Sequence, residues 1–452
     1  MELKEIIGRL EDLSATDIVN YLCENNISFE VFSDAVKKAG GWDSAEKRKN
    51  VQALLKQKDN DAYDVAVAAN KAEAYQKYLL QYPNGNHTDE VRAKIQSLNN
   101  IANAEVQRRE QRDRMLHKIK EDINEYTPDE IIEKLSIEVL DELCYELGID
   151  VQMIKNYKEP PLKFNDIPQH ENDVPEGYTD VFFWGIPSSG KTCALSAIFS
   201  TIKKDFSMEA PDCEKKFGAT YRDSLVNIWN KDCGYLPGRT NQDRTQYMPF
   251  LFYKRREKNK RKISFFELSG EVFKYFYEVA NGVEIINDYS RDDIEKSFQT
   301  LKLLLNSNNQ KIHFFFIDYN QETKHTTDDN NLTQSNYLEA AAVYFRDHKE
   351  IFKKRTDAVY VVVTKSDEIK GSNRNESAKS FLDDNFGSFM DVLKNQCKKN
   401  DIEFKVKLFS IGNVYFKKIC KIDRSYSTAI INDLLERVKP VNNSILGRFL
   451  NS

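Results

Sequence analysis

The sequence predicts two regions: an all-α region over residues 1–154, and an α/β domain over residues 178–452 whose sheet is mostly parallel and covered by helices on both faces. In the first region apolar residues recur every three or four positions and glycine is scarce, which indicates amphipathic helices. In the second, short apolar strands alternate with helical patterns, as in parallel sheets that are buried on both sides. Residues 155–177 hold four of the eleven prolines and are predicted to be a linker.

Composition and charge exclude several classes of protein. The chain has 452 residues, and 66 Lys and Arg against 71 Asp and Glu give a net charge of -5, so we expect no nucleic-acid partner. The seven cysteines show no regular spacing, which indicates free thiols in a reducing compartment. The first residues are charged, unlike a signal peptide, and no apolar run is long enough for a transmembrane segment. We therefore expect a soluble, cytoplasmic protein.

Within the helical region, capping signals mark where helices begin and end. Ser14 with Asp17, and Thr127 with Glu130, have the spacing of capping boxes, and Gly148 is placed to end a helix. A helical hairpin is predicted at about 65–101, followed by a long charged helix at about 101–125.

The turn Tyr-Pro-Asn-Gly at 82–85 lies inside the predicted hairpin. This stretch resembles the helical-hairpin repeats of bacterial multidomain proteins, which serve as docking modules. The resemblance implies a protein partner bound through the helical region. An ordinary αα-hairpin with aromatic residues in its core explains the same pattern.

Six apolar runs are predicted to be the strands of the α/β domain. They lie at 180–184, 249–253, 263–268, 312–317, 358–364 and 404–409. Two polar stretches between them are predicted to lie at the surface. The basic run 254–262 is predicted to be a solvated hairpin tip, with contact to a polyanion or an acidic partner as the alternative, and the insertion 319–335 is predicted to be a mobile loop.

The first strand is followed by Gly-Ile-Pro-Ser-Ser-Gly-Lys-Thr at 185–192 and then by a helical pattern. This is the phosphate-binding loop GxxxxGK[ST] in its required strand, loop, helix context. Backbone N–H groups of such a loop surround phosphate oxygens, the lysine reaches the β- and γ-phosphates, and the threonine hydroxyl coordinates Mg²⁺. The candidate nucleotide-binding residues are Gly185, Pro187, Ser188, Ser189, Gly190, Lys191, Thr192 and Cys193.

The fifth predicted strand ends in Thr-Lys-Ser-Asp at 364–367. The Asp367 carboxylate is suited to accept hydrogen bonds from the ring N–H and the exocyclic amine of guanine, and the Lys365 stem to cover the purine face. Adenine would leave that carboxylate unpaired. Ser410 and Ile411 follow the next strand and offer a backbone N–H to the guanine oxygen, so the sequence predicts GTP or GDP as ligand.

The third strand runs into Glu-Leu-Ser-Gly-Glu at 267–271. In nucleotide switches an acid at this strand end holds Mg²⁺, and the glycine three residues later donates its N–H to the γ-phosphate. Glu267 and Gly270 fit these positions.

The ordered motifs GIPSSGKT, ELSG, TKSD and SIG resemble those of the translation-factor-related, Ras-like class of P-loop GTPases, over about residues 179–438. The resemblance implies a Ras-like G domain that hydrolyses GTP with Mg²⁺. The class roles carry over to the residues whose letters match: Lys191, Thr192, Gly270, Lys365 and Asp367.

Three positions depart from the class pattern. Glu267 replaces the usual aspartate and is one methylene longer, which puts the metal position in question. Thr364 replaces an asparagine, although its hydroxyl can still tether the phosphate loop. Glu271 stands where many relatives have the glutamine that orients water, so we expect slow intrinsic hydrolysis. A role for Glu271 as general base through water is the alternative.

The sequence leaves two assignments open. Either Thr240 or Thr245 is the switch-one threonine that binds Mg²⁺, and Arg239 or Arg244 is a candidate internal arginine finger, although surface arginines are common. We expect a GTP-binding switch that hydrolyses GTP to GDP and relays its state through the helical region, as in bacterial GTPases built from a G domain and a helical adaptor. The competing hypotheses are a P-loop ATPase and a nucleotide-binding scaffold without turnover.

Overall fold

The computed structural model describes most of the chain: residues 3–213, 215–237, 244–257, 259–286, 288–352 and 355–441. The chain divides into two compact units, Met1–Glu121 and Asp122–Ser452.

The first unit is helical. Its helices are α1 (Leu3–Gly8), α2 (Ala15–Glu24), α3 (Phe29–Lys38), α4 (Ala45–Ala69), α5 (Ala72–Gln81) and α6 (Thr88–Glu121). The capping box predicted for α2 is present, since the Ser14 hydroxyl accepts from the Asp17 N–H and the Asp17 carboxylate accepts from the Ser14 N–H. Buried residues of α4 and α5, among them Ala66 and Tyr75, form a small core with Val91 of α6.

The second unit begins with further short helices. They are a 3-10 helix (Ile123–Glu125), α7 (Pro128–Lys134), α8 (Ile137–Leu147) and α9 (Val151–Lys155). The sequence assigned residues up to 154 to the helical region, whereas the structure groups residues 122–154 with the α/β unit. The physical reason is contact: the Tyr235 hydroxyl donates to the Met153 carbonyl (3.0 Å), and its ring meets that of Tyr157 edge to face. The predicted caps at Thr127 and Gly148 are present.

The remaining elements build the α/β part of the second unit. The strands are β1 (Thr179–Trp184), β2 (Phe206–Glu209), β3 (Trp229–Asn230), β4 (Cys233–Tyr235), β5 (Gln246–Lys254), β6 (Arg261–Glu267), β7 (Gln310–Asp318), β8 (Thr356–Thr364), β9 (Glu403–Phe409), β10 (Gly412–Tyr415) and β11 (Ile419–Ile422). The helices are α10 (Lys191–Asp205), α11 (Ala219–Asn227), α12 (Val272–Asn281), α13 (Asp288–Asn306), α14 (Tyr319–Thr323), α15 (Gln334–Asp347), α16 (Arg374–Lys399) and α17 (Arg424–Arg437). Three 3-10 helices lie at Glu171–Asp173, Lys349–Phe352 and Ser366–Glu368.

Seven of the described strands form one sheet in the order β2-β5-β6-β1-β7-β8-β9. β1 pairs in parallel with β6 and β7, and β8 with β7 and β9, while β5 pairs antiparallel with β2 and β6. All six predicted strands and the mostly parallel sheet are therefore confirmed. The sequence missed β2 and a small antiparallel sheet, β10-β11-β4-β3, because these strands have only two to four residues each, and β2, β4 and β10 are only partly buried.

Side chains of β1 alternate between two cores, as the period of two in a strand requires. Phe182 and Trp184 face the core beneath α12, α15 and α16, whereas Val181 and Phe183 face the core beneath α10, α11 and α17. Helices therefore cover both faces of the sheet, which explains why its central strands, such as β1, are apolar on both sides.

Residues 155–177 are more ordered than the predicted linker. Leu162 and Phe164 pack against one core, and Ile167 and Val174 against the other, because apolar residues stand between the prolines. The insertion 319–335 likewise departs from the predicted loop, since it contains α14 and the start of α15.

The basic run 254–262 joins β5 and β6 as the predicted hairpin. Several of its charges have local partners: Arg255 donates to the Phe206 carbonyl (3.2 Å), and the Lys260 amine lies 2.5 Å from the Glu209 carboxylate. These contacts stabilise the hairpin against β2.

Replacing Phe183 by alanine tests the core. Phe183 is fully buried and stacks on Phe314 and Phe316, so we expect the variant to lose about 3–5 kcal/mol of unfolding free energy, measured by urea denaturation. Val279→Ala, at a largely exposed position, serves as the control and should change stability little. A Phe183→Ala variant as stable as the control would contradict the described core.

Candidate functional site

The loop after β1 makes a tight turn. Ser188 (φ 62°) and Gly190 (φ 91°) adopt left-handed conformations, and Gly190 caps the start of α10. A Cβ atom on Gly185 would lie 2.5 Å from Ser189 Oγ and 2.8 Å from the Phe316 carbonyl oxygen, so only glycine fits there. The sequence therefore allows the strand, loop, helix arrangement that phosphate-binding loops need.

Lys191 is buried at the start of α10. Its amine donates to the carbonyl oxygens of Gly185 (2.6 Å) and Ile186 (3.0 Å). Burial lowers the pKa of Lys191 to about 8, although Glu267 and Glu271 favour the charged form. A cation is thus held inside the loop, where a phosphate group would restore its ordinary pKa.

Glu267 lies at the end of β6 with both carboxylate oxygens engaged. The Thr192 hydroxyl donates to Oε1 (2.5 Å), and the buried Tyr221 hydroxyl donates to Oε2 (2.7 Å). Burial raises the pKa of Glu267, while these two hydrogen bonds oppose the rise. Sequence reasoning missed Tyr221, which lies on α11 outside any motif.

Gly270 packs directly on the phosphate loop. A Cβ atom there would lie 2.3 Å from the Pro187 nitrogen, so the chain after β6 can approach the loop only with glycine at this position. The next residue, Glu271, is buried, and its Oε2 lies 2.9 Å from the Lys274 amine one turn along α12. Glu271, which the sequence suggested as an alternative general base, is therefore engaged in an ion pair with Lys274.

Of the two switch-one candidates, the structure describes one. Thr245 is buried beside β5, and its hydroxyl accepts from the Ser269 N–H (3.0 Å). Arg244 is exposed, with its guanidinium 5.5 Å from the centre of the Phe164 ring. Thr240 and Arg239 lie outside the described residues.

The end of β8 is joined to the phosphate loop. The Thr364 hydroxyl lies 2.9 Å from the Ser189 carbonyl and 3.3 Å from the Ile317 carbonyl. Lys365 adopts a left-handed conformation (φ 53°), and its amine pairs with the buried Asp318 carboxylate (2.7 Å). The Thr364 hydroxyl therefore ties the end of β8 to this loop.

A single pocket of about 510 Å³ adjoins this tether. It brings together the candidate residues Gly190, Cys193, Thr364, Lys365, Asp367, Ser410 and Ile411. The sequence did not identify its other walls, which include Asn124, Leu236, Asn320 and Tyr415. All four lie outside the four motifs, and Asn320 belongs to the insertion after β7.

The site offers oxygen ligands rather than a complete protein cage for a metal. Among the residues that the structure describes, no three His, Cys, Asp or Glu side chains cluster as a metal site. Thr192 and Glu267 nevertheless place a hydroxyl and a carboxylate in contact, and Mg²⁺ typically takes one or two such ligands and completes its shell with phosphate and water.

Comparisons with known proteins add little to this geometry. No family model matches the chain, and no curated protein matches it. One solved structure, described provisionally as nucleolar GTP-binding protein 1 from Plasmodium falciparum, is similar over 58% of this chain and 91% of its own, with 13% identity and a TM-score of 0.24. A TM-score this low carries no argument about function.

The class of fold follows from the sheet itself. Its mostly parallel seven strands with helices on both faces fit an α/β NTPase fold. None of the described helices combines the length and apolar character needed to cross a bilayer.

Replacing Tyr221 by phenylalanine tests whether its hydrogen bond to Glu267 stabilises the fold. Removing a hydroxyl that donates to a buried carboxylate should cost about 1–3 kcal/mol of unfolding free energy, measured by denaturant titration. Tyr145→Phe is the matched control, because Tyr145 is 87% exposed. Equal stability of the two variants would show that the hydrogen bond from Tyr221 is dispensable.

Proposed function

We propose that residues 178–452 form a Ras-like G domain that binds GTP, hydrolyses it to GDP with Mg²⁺, and acts as a switch. One observation carries the proposal: Gly190 of the phosphate loop, the adjacent Cys193 of α10, and Asp367 and Ser410 of the two candidate base-reading turns line the same pocket. A ligand with a triphosphate at one end and a purine at the other suits this continuity.

The base end favours guanine. Asp367 is an exposed carboxylate on the pocket wall, suited to accept two N–H groups from the guanine edge. The Lys365 side chain, paired with Asp318, would cover the ring, and the turn at Ser410 and Ile411 would offer a backbone N–H to the guanine oxygen. Adenine cannot donate the same pair of hydrogen bonds.

The phosphate end favours a triphosphate with Mg²⁺. Lys191 would neutralise the β- and γ-phosphates, while Thr192 and Glu267 would hold the metal. Bound Mg²⁺ supplies charge neutralisation on the phosphate oxygens. Gly270, packed on Pro187, would donate its N–H to the γ-phosphate, so its contact would differ between GTP and GDP.

The surrounding chain suggests how the state is read. A protein partner would bind the helical region 1–154. The seven free cysteines favour a cytoplasmic location, since free thiols are typical of a reducing compartment. The strand order and the four motifs support the Ras-like assignment, with Thr245 as the described switch-one candidate.

Replacing Asp367 by asparagine tests base recognition. Wild type should bind GTP at least about tenfold more tightly than ATP in calorimetric titrations, because only guanine satisfies the carboxylate. The variant should lose about 10- to 100-fold in GTP affinity and gain preference for a xanthine nucleotide, whose 2-oxo group accepts from the new amide.

Glu368→Gln is the matched control, since it removes the neighbouring carboxylate of the same pocket and should leave the preference for guanine intact. Unchanged GTP affinity in Asp367→Asn would overturn the base-site assignment. Equal ATP and GTP affinity in wild type would favour the ATPase hypothesis, and tight binding without phosphate release would favour the scaffold.

The lowered pKa of Lys191 predicts proton uptake on binding. Phosphate charge favours the protonated amine, so its pKa in the complex lies above the value of about 8 in the free protein. GTP affinity should therefore be greatest below pH 8 and fall as pH rises toward about 9. Calorimetry in two buffers of different ionisation enthalpy measures the uptake directly.

Lys191→Met should bind GTP weakly and lose this uptake. Lys370→Met, which removes an exposed lysine in the segment after β8, should keep it. Absence of proton uptake in wild type at about pH 8 would contradict the proposed contact between Lys191 and phosphate.

A further inference from the structure

The insertion after β7 brings a glutamine to the phosphate loop. Gln321 lies on α14, and its Nε2 donates to the Pro187 carbonyl oxygen (3.3 Å). Within the described part of the chain, its carbonyl oxygen Oε1 takes part in no hydrogen bond. The side chain is half-buried, so it combines a fixed anchor with access to solvent.

The anchor point lies on the side of the loop where the proposed function puts the γ-phosphate. Pro187 is the residue against which Gly270 packs, whereas the base pocket lies next to Gly190 and Cys193. Gln321 and Gly270 therefore contact the same residue of the loop. A neutral carboxamide thus stands beside the position that the γ-phosphate would occupy.

α14 is held firmly at its first turn. The Asp318 carboxylate accepts from the Gln321 N–H (3.1 Å), and the Gln334 side chain makes two hydrogen bonds to the Asp318 backbone (2.8 and 2.9 Å). The Ser335 hydroxyl also donates to Glu322, which ties α14 to α15. These hydrogen bonds fix the backbone position of Gln321. A catalytic group needs such a fixed position to be preorganised.

We propose that Gln321 is a catalytic residue that orients the attacking water during GTP hydrolysis. This inference rests on the proposed function. Glu271, at the position after Gly270, is paired with Lys274, and an ionised carboxylate near the triphosphate repels it. The carboxamide of Gln321 is uncharged and offers both an acceptor and a donor to water.

The reaction keeps its atoms and charges in balance without Gln321 taking up a proton. The water oxygen forms a bond to the γ-phosphorus, and the bond between that phosphorus and the β,γ-bridging oxygen breaks, with its electron pair passing to GDP. The protons of the water pass to the phosphate product. Gln321 acts by accepting a hydrogen bond from the water and aligning it with the phosphorus.

Single-turnover hydrolysis of GTP tests the proposal. Gln321→Ala should slow the hydrolysis rate by about 10- to 100-fold while changing affinity for a non-hydrolysable GTP analogue by less than about threefold. The same variant should bind GDP with aluminium fluoride, which mimics the transferring phosphoryl group, at least about tenfold more weakly. A structural role alone would not separate these affinities.

Gln299→Ala is the matched control, because the Gln299 amide also donates to a backbone carbonyl, that of Gln169 (2.9 Å), at an exposed position. It should hydrolyse GTP at the wild-type rate. A Gln321→Ala variant with wild-type rate and transition-state affinity overturns the inference, as does a wild-type protein that binds GTP without turnover; both leave nucleotide binding intact. Failure of wild type to bind any nucleotide would instead overturn the proposed function.

Discussion

The parallel pairing of β1 with β6 on one side and β7 on the other is the constraint on which the site depends. Parallel strands end at the same edge of a sheet, so the phosphate loop, Glu267 and Asp318 emerge side by side although they are far apart in sequence. β8 pairs with β7 and brings Thr364 to the same edge, where its hydroxyl contacts the loop. Without this strand pairing, the four motifs would follow one another in the sequence but would not lie together in the fold.

The second organising feature is buried charge. Lys191 and Glu267 are both buried, and each is held by polar neighbours rather than by a direct ion pair between them. Burying ionised groups costs free energy unless they are compensated. A magnesium-bound triphosphate would compensate both, since its phosphates attract the amine and its metal attracts the carboxylate. The proposed function thus gives these two buried groups one ionic ligand in common.

The sequence predicted six of the seven described strands of the main sheet because continuous apolar runs followed by glycine or polar turns identify buried strands. It could not predict that Tyr221 supports Glu267 or that Gln321 reaches Pro187, since neither stands in a motif and each contact spans a long stretch of sequence. The ordered course of residues 155–177 was missed for a different reason. Proline suggested a linker, and the apolar residues between the prolines became informative only once the cores were in place.

A crystal structure of the full chain with Mg²⁺ and a non-hydrolysable GTP analogue tests the central claim most directly. The account predicts one ligand that spans the site, with phosphate oxygens at the Lys191 amine and the guanine edge at the Asp367 carboxylate. A nucleotide that binds elsewhere on the chain, or one whose base leaves Asp367 facing solvent, would contradict it.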